Sequence, residues 1–261
     1  MKMKGAFLIG IVLGVFSGSF NGCVTKTASL KVEKTLPQEK LAYYNDTFDK
    51  LRTDLWEKAG YTHNEAQKSN FKLGKTEVKE GKLWVQTETG CFSMAGLGSS
   101  YTLRGDFDIQ VDCQIDFLEG VYDMDQSLVF NVIGKEKEIG KADTVFMCLL
   151  RRGVRDFSTF FSATRKSGEL HVGNWHKIEK FNGSLRIVRI GDEVSTLYRL
   201  KEATEWKKLD AFRFPPGEVM LGLKLQNFVI NRASITASAS ATATFDNFRI
   251  NAAEQIIEEE I

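Results

Sequence analysis

The chain of 261 residues lacks an excess of either charge: 35 lysines and arginines stand against 34 acids, a formal net charge of +1. Without a global field there is little to draw in nucleic acid, and the basic cluster Arg151, Arg152 and Arg155 has no interleaved aromatics. Nucleic-acid binding is disfavoured. Histidine is scarce, and His63, His171 and His176 lack metal-ligand spacing. The four cysteines contain no close CxxC pair of the kind that holds zinc or runs redox exchange. There is no GxSxG elbow, and GLGSS near Gly96 lacks the strand-turn-helix context of a phosphate loop. Long helical periodicity is missing too.

Long apolar runs are rare, and the one at residues 5–16 follows Lys2 and Lys4 and gives way to Ser17, Gly18 and Ser19. It is too short to span a bilayer and reads as an export signal. Gly22 and Cys23 then resemble the end of a bacterial lipobox, although Phe20 and Asn21 depart from its usual leucine and small residue. The resemblance implies cleavage after residue 22 and acylation of Cys23, placing the protein on a membrane of the cell envelope. The alternative is a plain secretory signal with Cys23 a bystander. Residues 23–40 are polar, without a period, and read as a tether. Cys91, Cys113 and Cys148 read as small core residues, with room for one disulfide whose partners stay open.

What is present is β-strand pattern. From Phe107 one set of alternate positions reads Phe107, Ile109, Val111, Cys113, Ile115, Phe117, and the other Asp108, Gln110, Asp112, Gln114, Asp116. A period of two this long is a strand with one face in a core and the other wet or facing a ligand. Further short runs follow with Gly, Asn or Asp between them, among them KLWVQTET, SLVFNVIG, VFMCLLRR, FSTFFSATR and the hairpin LRIVRIGDEVSTLY turning at Gly191 and Asp192. GELHVG and HKIEKF read as two short strands and a turn. Residues 42–49 read as a first strand, 51–60 as a short helical piece carrying Trp56, and the Ala/Ser/Thr alternation of 236–244 as an edge strand. Residues 253–261 read as an acidic tail, helical or frayed. Trp56, Trp84 and Trp206 are assigned to the core.

In their order and spacing these features resemble the concanavalin A-like lectin and glucanase superfamily, which includes laminin G-like modules. The resemblance is carried by Phe48-Asp49 with Trp56, GKLWV at 81–85, LRGDFDIQVD at 103–112, the 185–198 hairpin leading to Trp206, and FDNFRI at 245–250. It implies an all-β, two-sheet antiparallel jelly-roll sandwich over residues 41–252, and either carbohydrate binding or glycoside hydrolysis. Retaining enzymes of that superfamily carry ExDxxE so that two carboxyls sit roughly 5–5.5 Å apart. Here the nearest string, 114–119, is QxDxxE, on the strand that precedes the catalytic one in those enzymes, and glutamine cannot be a nucleophile. The resemblance also implies that first and last strands lie side by side and can share a structural calcium, with Asp46 or Asp49 and Asp246 as ligands and the Asp123/Asp125 loop as a rival. No cofactor is required.

Sugars are held by planar hydrogen-bonding side chains plus an aromatic platform. Asp108, Gln110, Asp112, Gln114 and Asp116 supply the first, with Asn131, Arg151, Lys224 and Gln226 expected to join them from neighbouring strands. Tyr122 and Trp175 supply the platform. The expectation is therefore an exported, lipid-anchored, non-enzymatic domain whose partner is a glycan or another cell-surface ligand. The competing readings are a hydrolase or lyase of the same fold, and a structural or protein-binding envelope lipoprotein.

Overall fold

The structure is a computed structural model describing residues 30–58, 70–135, 142–153, 157–228 and 236–258. The compact unit is Lys31–Ile261. Its elements are α1 (Gln38–Tyr43), β1 (Trp56–Lys58), β2 (Phe71–Leu73), β3 (Lys75–Lys79), β4 (Lys82–Gln86), β5 (Phe92–Ser99), β6 (Tyr101–Asp116), β7 (Asp125–Gly134) and β8 (Thr144–Arg152). Then come β9 (Phe157–Lys166), β10 (Glu169–Lys177), β11 (Lys180–Ile190), β12 (Glu193–Leu200), β13 (Lys207–Arg213), β14 (Val219–Gln226) and β15 (Thr242–Glu258).

Hydrogen bonding arranges these strands in two layers of a sandwich. One runs β3-β4-β15-β6-β11-β12-β13, the other β10-β9-β8-β7-β14-β5, with β1 and β2 added along β5. Among the described strands every pairing is antiparallel except β2 with β5. The layers meet where Leu103, early in β6, pairs with Val219 of β14. Gly105, at φ +77°, then bends β6 into its own layer, a conformation a Cβ would resist.

The alternation in β6 does what its sequence predicts. Phe107, Ile109, Val111, Cys113 and Ile115 are buried against Leu128, Phe130 and Val132 of β7 and Val145, Met147 and Leu149 of β8, in one cluster. Each such side chain contributes roughly 1.5–3 kcal/mol. Arg189 occupies a core-facing position of β11, and its guanidinium donates to the carbonyls of Gly191, Pro215 and Gly217, each at 3.1 Å, so no buried donor is left over.

Several local expectations are corrected. Residues 42–49 are not a strand: Pro37, with φ fixed at −55°, caps α1, and only Asp46 bridges to Phe248. Trp56 opens β1 and no helix carries it. GELHVG and the first two residues of HKIEKF form one strand, β10, with an irregularity between Val172 and Trp175, while Lys180 and Phe181 open β11. The run near 236–244 is no edge: Thr242–Phe245 lies between β4 and β6, and Ala237, Ala241 and Ala243 are small because they enter the core. Residues 253–258 belong to β15, paired with the start of β6. The ordered unit also reaches back into the expected tether, since Val32 is buried and Leu36 donates to the Ala253 carbonyl at 2.8 Å.

Candidate ligand-binding faces

On the outer face of the β6 layer the five-residue row is largely occupied with its neighbours. Asp108 is buried and receives both Arg186, with Nε at 2.8 Å, and Asn251 at 3.1 Å. Asn251 also donates to Gln110 at 3.0 Å. Asp112 accepts from Ser184 at 2.6 Å and Asn247 at 3.2 Å, and Gln114 donates to Asp116 at 3.3 Å. Two shallow depressions of about 260 and 350 Å³ adjoin here; the first takes in Asp112, Gln114 and Asp246, the second Gln114, Asp116 and Trp84.

Two tryptophans expected in the core stand on this face. Trp84 is only half-buried, with the Lys79 ammonium 3.9 Å from its ring centre. Trp206 lies beneath the Arg186 and Arg199 guanidiniums at 5.4 and 4.8 Å. Both keep their apolar body covered by a cation's stem, which is why their alternation in sequence resembles burial. Trp56 alone of the three is core.

Asn131, Lys224 and Gln226 do not join that row. They alternate with Phe130, Val132, Leu223 and Leu225, which enter the shared core, so they project from the opposite outer face, that of the β8 layer. Arg151 points into the sandwich, where it donates to Ser158 at 3.2 Å. The expectation of one ligand set is corrected to two faces, because β14 touches β6 only at a single pair.

Strand register maps the β8-layer face. Lys224 is opposite Val129, Val129 opposite Cys148, Cys148 opposite Phe161, and Phe161 opposite Trp175, a straight row across five strands. The next row reads Gly222, Asn131, Phe146, Ala163, Val172. Val129, Cys148 and Leu150, with Phe146 and Phe161 against them, form a second apolar cluster apart from the core. Trp175 is 60% exposed at one end, edge-on to Phe157 at 5.6 Å. Tyr122 is exposed in the loop before β7, whose backbone packs on Gly153 at the end of β8, so it stands at the rim.

The other end is polar. Burial alone pushes the Lys224 amine down to about 8, and among the described residues no hydrogen bond or ion pair reaches it. Asn131 is 6% exposed, and among the described residues its Oδ1 has no hydrogen-bond partner. Both lean over Gly222: a Cβ there would lie 2.1 Å from Asn131 Oδ1 and 2.9 Å from Lys224 Cε. Sequence reasoning missed Phe146, Phe161 and Gly222. The signal was the run VFMCLLRR, apolar on both faces, which demands a second covered surface as well as a core.

The proposed calcium ligands do not gather into a set. Asp46 is buried and accepts from Trp56 Nε1 at 2.8 Å and the Phe48 amide at 2.7 Å; burial raises its pKa against those two bonds. Asp49 accepts from Thr47, and Asp246 from the Asn247 amide. In the rival loop Asp123 accepts from Thr236 and Ser238, bonds that hold it below its ordinary value although burial works upward. Asp125 accepts from the Gly153 amide at 3.1 Å. Among the described residues no group of three acidic, histidine or cysteine side chains is placed to hold a metal ion. His171 and His176 are exposed along β10, and His63 lies outside the described residues.

No protein-family profile matches the chain, and no curated protein matches it by sequence. Solved structures do match. A prokaryotic β-1,3-1,4-glucanase (lichenase) from a mouse hindgut metagenome is 14% identical, with a TM-score of 0.56 over 80% of this chain and 98% of that one. A glycoside hydrolase family protein from Mycobacterium thermorestibile is 9% identical, TM-score 0.60, over 79% and 99%. The CBM2 module of the Lactobacillus casei BL23 phage J-1 evolved Dit is 10% identical, TM-score 0.56, over 80% and 95%. The fold is the concanavalin A-like jelly roll. At these identities the likeness establishes the fold, and the roles of individual side chains in this jelly roll rest on its own geometry.

Proposed function

We propose that the chain is an exported, lipid-anchored, non-enzymatic carbohydrate-binding domain that holds a glycan across the outer face of the β8 layer. The observation that carries this is the register row from Trp175 to Lys224: an exposed ring, an apolar floor, and at the far end polar groups with no partner among the described residues. That combination suits a sugar, whose C–H faces stack on rings while its hydroxyls need fixed polar partners. The glucanases and the CBM2 module that share the fold support a carbohydrate ligand. Binding is favoured over hydrolysis because a retaining enzyme needs two carboxyls flanking the scissile bond. Among the described residues, the two rows of this face contain none. Asp125 at the rim is spent on Gly153. Anchoring through Cys23 rests on the sequence alone, since residues 1–29 lie outside the described residues.

The test is retention of the chain on a panel of insoluble polysaccharides, scored together with release of new reducing ends. Retention without new ends, reduced at least tenfold in Trp175→Ala, is expected. New reducing ends from the wild type would overturn the non-enzymatic reading, and failure to bind any glycan would favour an envelope scaffold.

A further inference from the structure

The polar end of the register row is specific enough in its chemistry to name a class of sugar. Lys224 presents an ammonium with no counter-ion among the described residues, on a surface whose nearest row neighbour is Val129. Asn131, next to it across Gly222, presents a buried acceptor oxygen with no donor among the described residues. Leaving either group unmet is costly, and the cost falls away when a ligand supplies both partners at once. The ligand that does so brings an anionic acceptor for Lys224 and, one bond or two away, a hydroxyl donor for Asn131. A neutral sugar brings the hydroxyl and no anion. A sulfate ester brings the anion in place of a hydroxyl.

We propose that the Lys224–Asn131 corner is a subsite for a sugar acid, its carboxylate on the Lys224 ammonium and an adjacent ring hydroxyl donating to Asn131 Oδ1. This rests on the carbohydrate-binding reading above and adds the charge of the ligand to it. Gly222 is the element that makes the corner, because any side chain there would occupy the space in which the two groups meet. Trp175 stands four strand spacings away, roughly 19 Å, so a ligand that touches both ends is an oligosaccharide with an acidic residue at the Lys224 end.

The experiment measures affinity of the full chain, purified in detergent, for polygalacturonate, alginate and hyaluronan, each beside its carboxyl-reduced form, and for dextran sulfate as a sulfated control. At least one uronate polymer is expected to bind about tenfold more tightly than its reduced counterpart. Lys224→Met and Gly222→Ala are each expected to erase that preference, so that the uronate polymer binds no more tightly than its reduced counterpart. The inference is overturned if no uronate is preferred, if Lys224→Met keeps the preference, or if dextran sulfate binds as tightly as the uronates. Binding of neutral glycan lost in Trp175→Ala, without any uronate preference, sinks this inference alone. Absence of binding to every glycan sinks the carbohydrate reading with it.

Discussion

Lys224 is held in the folded protein at a stability cost. Its amine titrates near 8, against an ordinary 10.5, because burial disfavours the charged form. A depressed folded value means that the stabilising contribution is present above the unfolded pKa, near 10.5, and is lost as pH falls through about 8. At pH 7 the charged amine therefore costs up to about 3 kcal/mol, and less because the side chain keeps partial exposure and is screened. Lys224→Met is expected to raise the melting temperature at pH 7 by several degrees, with the gain shrinking as pH rises to 10.5; thermal unfolding at both ends of that range measures it. A gain of equal size at both ends would mean that packing, and not charge, is responsible. Residues of this kind were only partly legible in sequence. Asn131, Lys224, Gln226 and Trp175 stand out by type, but which face they share depends on strand order, and strand order is a long-range property that local alternation does not encode. Arg151 shows the same limit, since one step in register separates an outward guanidinium from one turned inward.

Among elements, β6 was the most legible, because from Phe107 its alternation is uninterrupted and its apolar positions all enter one core. β10 was the least, since the Val172 to Trp175 irregularity breaks the period that sequence reading depends on. What holds that irregularity is Asp210 of β13, at the edge of the other layer, whose carboxylate accepts the Asn174 N–H at 2.7 Å. Asp210→Ala removes a charge-assisted bond contributing roughly 1.5–3 kcal/mol locally. It is expected to speed amide exchange of β10 about tenfold or more, with little change in β4 or β15, and to weaken glycan retention by letting Trp175 move. Hydrogen-exchange mass spectrometry on peptides covering 169–177 checks this. Unchanged exchange there would show that β9 alone fixes the edge strand.

At the scale of the whole molecule, the sandwich keeps its thiols out of reach. Cys91, Cys113 and Cys148 are free and buried; burial holds Cys113 well above its usual value and pushes Cys148 up to about 12. A thiol reagent is expected to find none of the three in the native protein. After denaturation four should react per chain if Cys23 is retained unmodified, and three if it is thioether-linked to lipid or cleaved away, two cases that the intact mass tells apart. Rapid native labelling of Cys148 would contradict the closed second apolar cluster.

The direction of the register row has a mechanical consequence. It runs across the strands, parallel to the hydrogen bonds that join β14, β7, β8, β9 and β10. On the proposed binding mode, a rigid glycan gripped at both ends of that row would act as a splint across the strands. It would tie the outermost strand to β14, which is itself bonded to the opposite layer through Val219 and Leu103. Tension along the bound chain would then be spread over five strands and would not fall on the edge strand alone.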